Sequence, residues 1–233
     1  MAWRSSGATN RELIENLSRN NLIKSPAVKE AFLKVDRAHY APRSPYQDTP
    51  QPIGHRATIS APHMHAAAAE KLLPFVTPSA ARPAPRVLDV GSGSGYLTHV
   101  LAELGAATVV GLEHIRELRD LGEANMRKSE EGRGLLEAGR VRFVVGDGRK
   151  GWDDGSGEGW DAIHVGAAAS EVHGELLGQL RRGGRMFIPV EDGESGGQYI
   201  WCVDRDGEGV VKKERLFGVR YVPLTDPPSS GEE

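Results

Sequence analysis

Two apolar stripes at helical spacing open the chain. Leu13, Ile14 and Leu17 form the first, and Val28, Ala31, Phe32 and Val35 the second. Thr9 stands in capping-box spacing to Glu12. Ser25-Pro26 predicts a cap followed by proline in the first turn of the second helix. Residues 41–62 are proline-rich and aperiodic, which predicts an irregular loop lying over a sheet. A short helix over 66–73 and a proline-rich connector over 74–85 follow. From residue 86 short apolar runs alternate with amphipathic ones. Strands are predicted at 87–90, 108–112, 141–145, 162–165 and 185–190, and helices at 96–104 and 115–126. A further helix carries Val172, Leu176, Leu177 and Leu180 and is closed by Gly183-Gly184. This rhythm predicts an α/β fold, a parallel sheet with helices on both faces. Segments 199–203 and 210–214 flank Asp206-Gly207, a hairpin signal, so the sheet should finish antiparallel. The expected organisation is a single structural domain, with residues 1–85 packed on a core spanning 86–226. Residues 227–233 (PPSSGEE) are expected to be a disordered tail.

Composition narrows the class. A chain of 233 residues, 39% hydrophobic and 26% charged, is an ordinary soluble globular protein with one core. A net charge of -3, without a basic stripe, predicts neither a nucleic-acid partner nor attraction to anionic membranes. The single cysteine, Cys202, excludes an internal disulfide framework and suits a reducing compartment. No apolar run has the length of a membrane span and no signal-peptide core opens the chain, so a cytosolic protein is expected. A monomer is the default. No nucleophile elbow or ordered Ser-His-Asp set is present, which speaks against a hydrolase.

Gly91, Gly93 and Gly95 follow the first parallel strand and open a helix, where glycine lets backbone approach a ligand closely. A dinucleotide fingerprint would place the third glycine one residue later, where Tyr96 stands. The G-x-G-x-G spacing resembles the first motif of S-adenosylmethionine-dependent methyltransferases, whose cofactor has no pyrophosphate to seat. Glu113 ends the second strand, about 20 residues after the glycines, where a carboxylate can accept ribose hydroxyls. Asp147-Gly148 ends the third strand, where the resemblance places adenine. Taken alone, Glu113 reads equally as a surface carboxylate and Asp147 as a turn residue. Asp89 sits inside an apolar strand and needs a partner; it is expected to order the glycine loop or the cofactor.

The run ATISAPHMHA (57–66) packs Thr58, Ser60, Pro62, His63 and His65 into ten nearly uncharged residues. With DRAHY (36–40), VLDVGSGSGYL (87–97), VVGDGR (144–149), DAIHVGAAA (161–169), GGRMFIPV (183–190) and YVPLTD (221–226), it resembles the protein-L-isoaspartate (D-aspartate) O-methyltransferases. The resemblance also includes MAW at the start and covers nearly the whole chain in order. It implies a Rossmann-like class I methyltransferase and S-adenosyl-L-methionine as cofactor, released as S-adenosyl-L-homocysteine. The implied partners are isoaspartyl-containing proteins and peptides. It implies Ser60 as the catalytic residue. Ala57, Thr58, Ile59, Ser60, His65, Asp89, Val90, Gly91, Gly93, Glu113, His114, Asp147, Gly148 and Thr225 are implied to border the cofactor. Ser60, His65 and Val222 are implied to border the substrate. The family often carries aspartate where Glu113 stands.

Plainer readings accompany these. Ser60 before Ala61-Pro62 also reads as a helix cap. His63 and His65 are two apart, so they point away from each other and make a poor metal pair. His63 and His164 are expected to be structural, and Cys202 buried and inert. The rival function is methyl transfer to another carboxylate or small molecule. Asp226-Pro227-Pro228-Ser229 lacks the aromatic residue of the motif that methylates exocyclic amines and lies in the tail. The acidic, glycine-rich segments 151–160 and 191–197 are expected to be surface variation.

Overall fold

The computed structural model describes residues 5–193 and 196–224. The tail expectation, Thr225 and the opening MAW lie outside the described residues. The chain runs α1 (Asn10–Arg19), α2 (Pro26–Lys34), β1 (Gln51–Gly54), β2 (Ala57–Ile59), α3 (Pro62–Val76) and β3 (Arg86–Val90). It continues α4 (Tyr96–Glu103), β4 (Thr108–Glu113), α5 (Arg116–Met126), α6 (Glu130–Glu137), β5 (Val141–Val145) and β6 (Trp160–Val165). It closes with α7 (Gly174–Gln179), β7 (Leu180–Glu191), β8 (Gln198–Arg205) and β9 (Val211–Val219).

Seven strands form one sheet in the order β5-β4-β3-β6-β7-β8-β9. The first five are parallel, and β8 and β9 join antiparallel, as the Asp206-Gly207 turn predicts. Successive side chains of a strand leave on opposite faces. Val87 therefore enters the core cluster containing α1 to α5, while Leu88 and Val90 enter the opposite one with Leu176 of α7. Leu13 and Phe32 of the N-terminal helices share the first cluster with Val87, Val109 and Phe187 of the sheet.

Four sequence expectations change. The segment 41–62 contains the β1–β2 hairpin, whose pairing is irregular between Pro52 and Gly54. Helix α3 runs from Pro62 to Val76 and carries Pro74 inside it, so it is longer than 66–73 on both sides. Strand β7 begins at Leu180, and Gly183-Gly184 lies within it at an irregularity opposite β6. Ser25 makes no cap bond; its hydroxyl donates to Glu70 Oε2 at 2.6 Å. Thr9 caps α1 as predicted, accepting from Glu12 N at 3.2 Å.

Candidate active site

The chain leaves β3 toward β4 and β5, then returns to β6 on the other side of β3. That reversal opens a crevice at the carboxyl ends of β3, β4 and β6, where open α/β sheets bind ligands. A cavity of about 400 Å³ occupies it, floored by Gly91, Gly93, Glu113, Gly148 and Gly166. The β1–β2 hairpin and the Val222-Pro223-Leu224 segment supply its other walls. The latter is pinned beside the sheet by Ala168 N to Val222 O at 2.8 Å and Leu224 N to Ala168 O at 2.7 Å. A smaller cavity of about 30 Å³ shares Thr58, Gly91, Gly93 and Gly166 with the first. Ile59, Ser60, His65, Asp89, Ser92 and Tyr96 belong to its lining.

Glu113 is buried and tightly held. Its Oε1 accepts from the backbone N–H groups of His114 (2.8 Å) and Ile115 (3.2 Å), and its Oε2 accepts from Gly93 N (3.0 Å). The carboxylate thus couples β4 to the glycine loop, and its remaining lone pair is available to a ligand. Gly95 begins α4 at φ +86, and a Cβ there would lie 3.0 Å from both Gly122 O and Phe143 Cζ. Left-handed backbone and close packing both require glycine at that position.

Ser92 Oγ and Tyr96 Oη are buried without a hydrogen-bond partner among the described residues, and both residues line the smaller cavity. A buried, unsatisfied hydroxyl costs roughly 1–3 kcal/mol. A ligand with a polar arm beside the glycine loop would remove that cost, and the larger cavity has the volume of a small-molecule site. The residues present fit a cofactor with a nucleoside body and a charged amino-acid arm.

The 57–66 run divides between the two cavities. Ala57 and Thr58 line the larger, Ile59, Ser60 and His65 the smaller. Helix α3 is capped at Ala61, so the reading of Ser60 as a helix cap is set aside. The Ser60 carbonyl accepts from Arg37 Nη2 at 2.8 Å, and its hydroxyl lies near enough to the Tyr221 phenol to favour the charged form of that group slightly. Burial pushes the Tyr221 phenol up to about 12, so it remains a neutral hydroxyl. His65 Nδ1 lies 3.3 Å from Arg37 Nη1. Arginine only donates, so Nδ1 must accept and Nε2 carries the ring proton. Burial first, then the Arg37 charge, holds His65 well below the ordinary histidine range. His63 instead sits 2.8 Å from Asp48 Oδ1, a structural contact.

Other predicted residues stand differently. Asp89 accepts from Thr98 Oγ1 at 2.6 Å and meets His164 Nδ1 at 2.7 Å, so protein partners hold both oxygens. Its service to the site is to fix β3 against α4 and β6. Val90 lines neither cavity: its side chain is buried on the opposite face, and its carbonyl accepts from Gly166 N at 2.7 Å. Asp147 lines neither cavity and meets Arg149, with both carboxylate–guanidinium distances 2.9 Å. That partner holds its pKa below the usual carboxylate range, and Gly148 supplies the cavity wall. His114 and Val222 both line the larger cavity, so Val222 stands on the cofactor side. Nothing in the sequence marks Arg37 or Tyr221 as chemical, although both lie in the quoted runs. The same holds for His55 and Arg56, which reach the larger cavity from the hairpin tip at φ +50 and +56.

Comparison with known proteins matches residues 8–229 to the family model described as protein-L-isoaspartate(D-aspartate) O-methyltransferase. A protein-L-isoaspartate O-methyltransferase of Caenorhabditis elegans is 46% identical over 227 residues, covering 97% of this chain and 96% of the relative. The enzyme of that name from Methanopyrus kandleri is 39% identical, covering 91% of this chain and 89% of its own. Among solved structures, a Plasmodium falciparum protein-L-isoaspartate O-methyltransferase in complex with S-adenosyl-L-homocysteine superposes with a TM-score of 0.83. It is 33% identical, covering 94% of this chain and 99% of that one.

Proposed function

Because the chain belongs to the protein-L-isoaspartate(D-aspartate) O-methyltransferase family, we propose that Ser60 receives the acceptor carboxylate where its two cavities meet. The activity is S-adenosylmethionine-dependent methyl transfer to the free α-carboxylate of isoaspartyl residues in damaged proteins. S-adenosyl-L-methionine, when bound, supplies an electrophilic methyl group on a sulfonium. Ala57, Thr58, Gly91, Gly93, Glu113, His114 and Gly148 would hold it in the larger cavity, with Glu113 accepting the ribose hydroxyls.

The acceptor dictates the rest. An α-carboxylate has a pKa near 3.5, so it is ionised at pH 7 without a general base. The protein's task is therefore to orient a ready nucleophile and exclude water. Ser60 Oγ donates to one carboxylate oxygen, leaving the other to attack the methyl carbon. Tyr221 fixes the rotamer of Ser60, and the neutral His65 offers its Nε2–H as a second donor that would not itself take up the methyl group. One observation carries this reading: Thr58, Gly91, Gly93 and Gly166 border both cavities, so Ser60 stands beside the cofactor crevice rather than inside it.

Ser60→Ala should reduce methyl transfer to an isoaspartyl peptide by at least about a hundredfold. S-adenosyl-L-homocysteine affinity should stay within about tenfold, or 1.4 kcal/mol. Equal loss of both would make Ser60 a cofactor ligand.

The single buried cysteine suits a reducing compartment, and we place the enzyme in the cytosol as a monomer. Size-exclusion chromatography coupled to light scattering tests the second part. No helix among the described residues is long and apolar enough to cross a membrane. The core shared by the N-terminal helices and the sheet supports one folding unit for the described residues.

A further inference from the structure

Arg37 is fully buried, yet among the described residues no carboxylate lies within ion-pair distance of its guanidinium. A buried cation without a paired anion is costly and calls for a reason. Three contacts of the Arg37 guanidinium lead toward the acceptor site. Nη2 donates to Ser60 O at 2.8 Å, Nη1 faces His65 Nδ1 at 3.3 Å, and the guanidinium lies 5.1 Å over the Tyr96 ring. Its backbone is held as well: Arg37 N donates to Asn10 Oδ1 at 3.4 Å, and Asn10 Nδ2 donates to Phe32 O at 3.0 Å. Asp48 acts on it only through the longer-range field, and its Oδ1 is occupied by His63. Arg37 Nε has no hydrogen-bond partner among the described residues.

From this arrangement we infer that Arg37 is a positioning residue for the acceptor, and that the substrate carboxylate supplies the anion this buried charge lacks. The inference rests on the assignment of the acceptor to Ser60. Three effects combine. The bond to Ser60 O fixes the backbone from which the hydroxyl projects. Donation to His65 Nδ1 locks the tautomer that presents Nε2–H. The charge itself acts through a dry interior, where screening by salt is weak. It favours an anionic acceptor over a neutral one, without touching the larger cavity. Arg37, His63 and His164 all disfavour protonation of His65, and the Tyr96 ring, a neutral phenol whose pKa burial raises, packs against it with ring centroids 5.2 Å apart. His65 therefore stays a neutral donor while the carboxylate stays charged.

The test compares two peptides, one with an isoaspartyl residue and one with isoasparagine, whose α-carboxamide is a neutral isostere. Inhibition constants for both are measured against methyl transfer in the wild-type enzyme, Arg37→Gln and Arg37→Lys. The expected result is a preference for carboxylate over carboxamide that falls at least about tenfold in Arg37→Gln and is largely restored in Arg37→Lys. S-adenosyl-L-homocysteine affinity should be unchanged and reports folding. An unchanged preference in a variant that still binds S-adenosyl-L-homocysteine overturns the proposal and leaves Arg37 as packing. Should Arg37→Gln fail to fold, the ¹⁵N shifts of His65 in the wild-type enzyme decide. The Nε2–H tautomer at pH 7 is expected, and the Nδ1–H form or an imidazolium overturns the proposal. Failure of the Ser60 assignment is separate: it shows as Ser60→Ala retaining methyl transfer, or losing it together with S-adenosyl-L-homocysteine affinity, whatever Arg37→Gln does.

Discussion

Removing the Glu113 carboxylate should weaken S-adenosyl-L-homocysteine binding on the order of a hundredfold, about 2.7 kcal/mol. Glu113→Ala would lose the proposed ribose acceptors and also release Gly93 N and the backbone after β4. Isothermal calorimetry reads the change; an affinity within twofold of wild type would contradict the assignment. Tyr221→Phe tests the other side of the site. Losing the phenol frees the Ser60 rotamer, so kcat should fall about tenfold while cofactor affinity holds, a cost of about 1.4 kcal/mol. A fall in KM or cofactor affinity alone would place Tyr221 elsewhere. At this scale the sequence was partly legible. Glu113 and the glycines stand out because a carboxylate and small residues at strand ends have few other uses. Arg37 and Tyr221 do not, because an arginine after a short helix and a tyrosine near the terminus normally face solvent. Only the fold brings them beneath Ser60, from positions 23 and 161 residues away. Asp147 is engaged locally: its partner Arg149 is two residues along, a pairing that its place at a strand end does not announce.

Elements with strong periodicity were read correctly, and weak ones were lost to local chemistry. Helix α6 carries Gly132 and Gly134 with few buried apolar positions, so its main signal was the Ser129 cap, whose Oγ accepts from Gly132 N at 3.0 Å. The β1–β2 hairpin hides in a proline-rich stretch because its strands are four and three residues long. Pro74 argued for ending α3 early, but it sits in the last turn, where one lost backbone bond is tolerable. At the same scale, Gly95→Ala should destabilise the protein by at least about 2 kcal/mol. The left-handed conformation accounts for roughly 1–2 kcal/mol, and contact with Gly122 and Phe143 adds to it. Thr9→Ala, which removes only a cap, should cost about 1 kcal/mol. Urea unfolding of both variants ranks them, and the reverse order would refute the packing argument for α4.

For the whole molecule, buried ionisable groups set the response to acid. His65 has a folded pKa well below 6.5, chiefly through burial. Below about pH 6.5 the unfolded chain binds a proton there that the folded chain refuses, so stability falls as pH drops through that range. Glu103, held low by His99 and Lys34 beside it, and Asp147, held low by its hydrogen bonds from Arg149, add a second loss beginning near pH 4. Urea midpoints should therefore decline in two steps from pH 7 to pH 3, and His65→Gln should diminish the first. A flat profile between pH 7 and 5 would show that His65 is not held neutral. The sheet order and its crevice follow from alternating strands and helices, but chemistry at the crevice depends on a charge arrangement that suits an anionic acceptor. The most direct measurement is methyl transfer to two peptides identical except for one linkage, aspartyl or isoaspartyl. Strong labelling of the isoaspartyl peptide with negligible labelling of its partner is predicted; equal labelling of both would contradict the account.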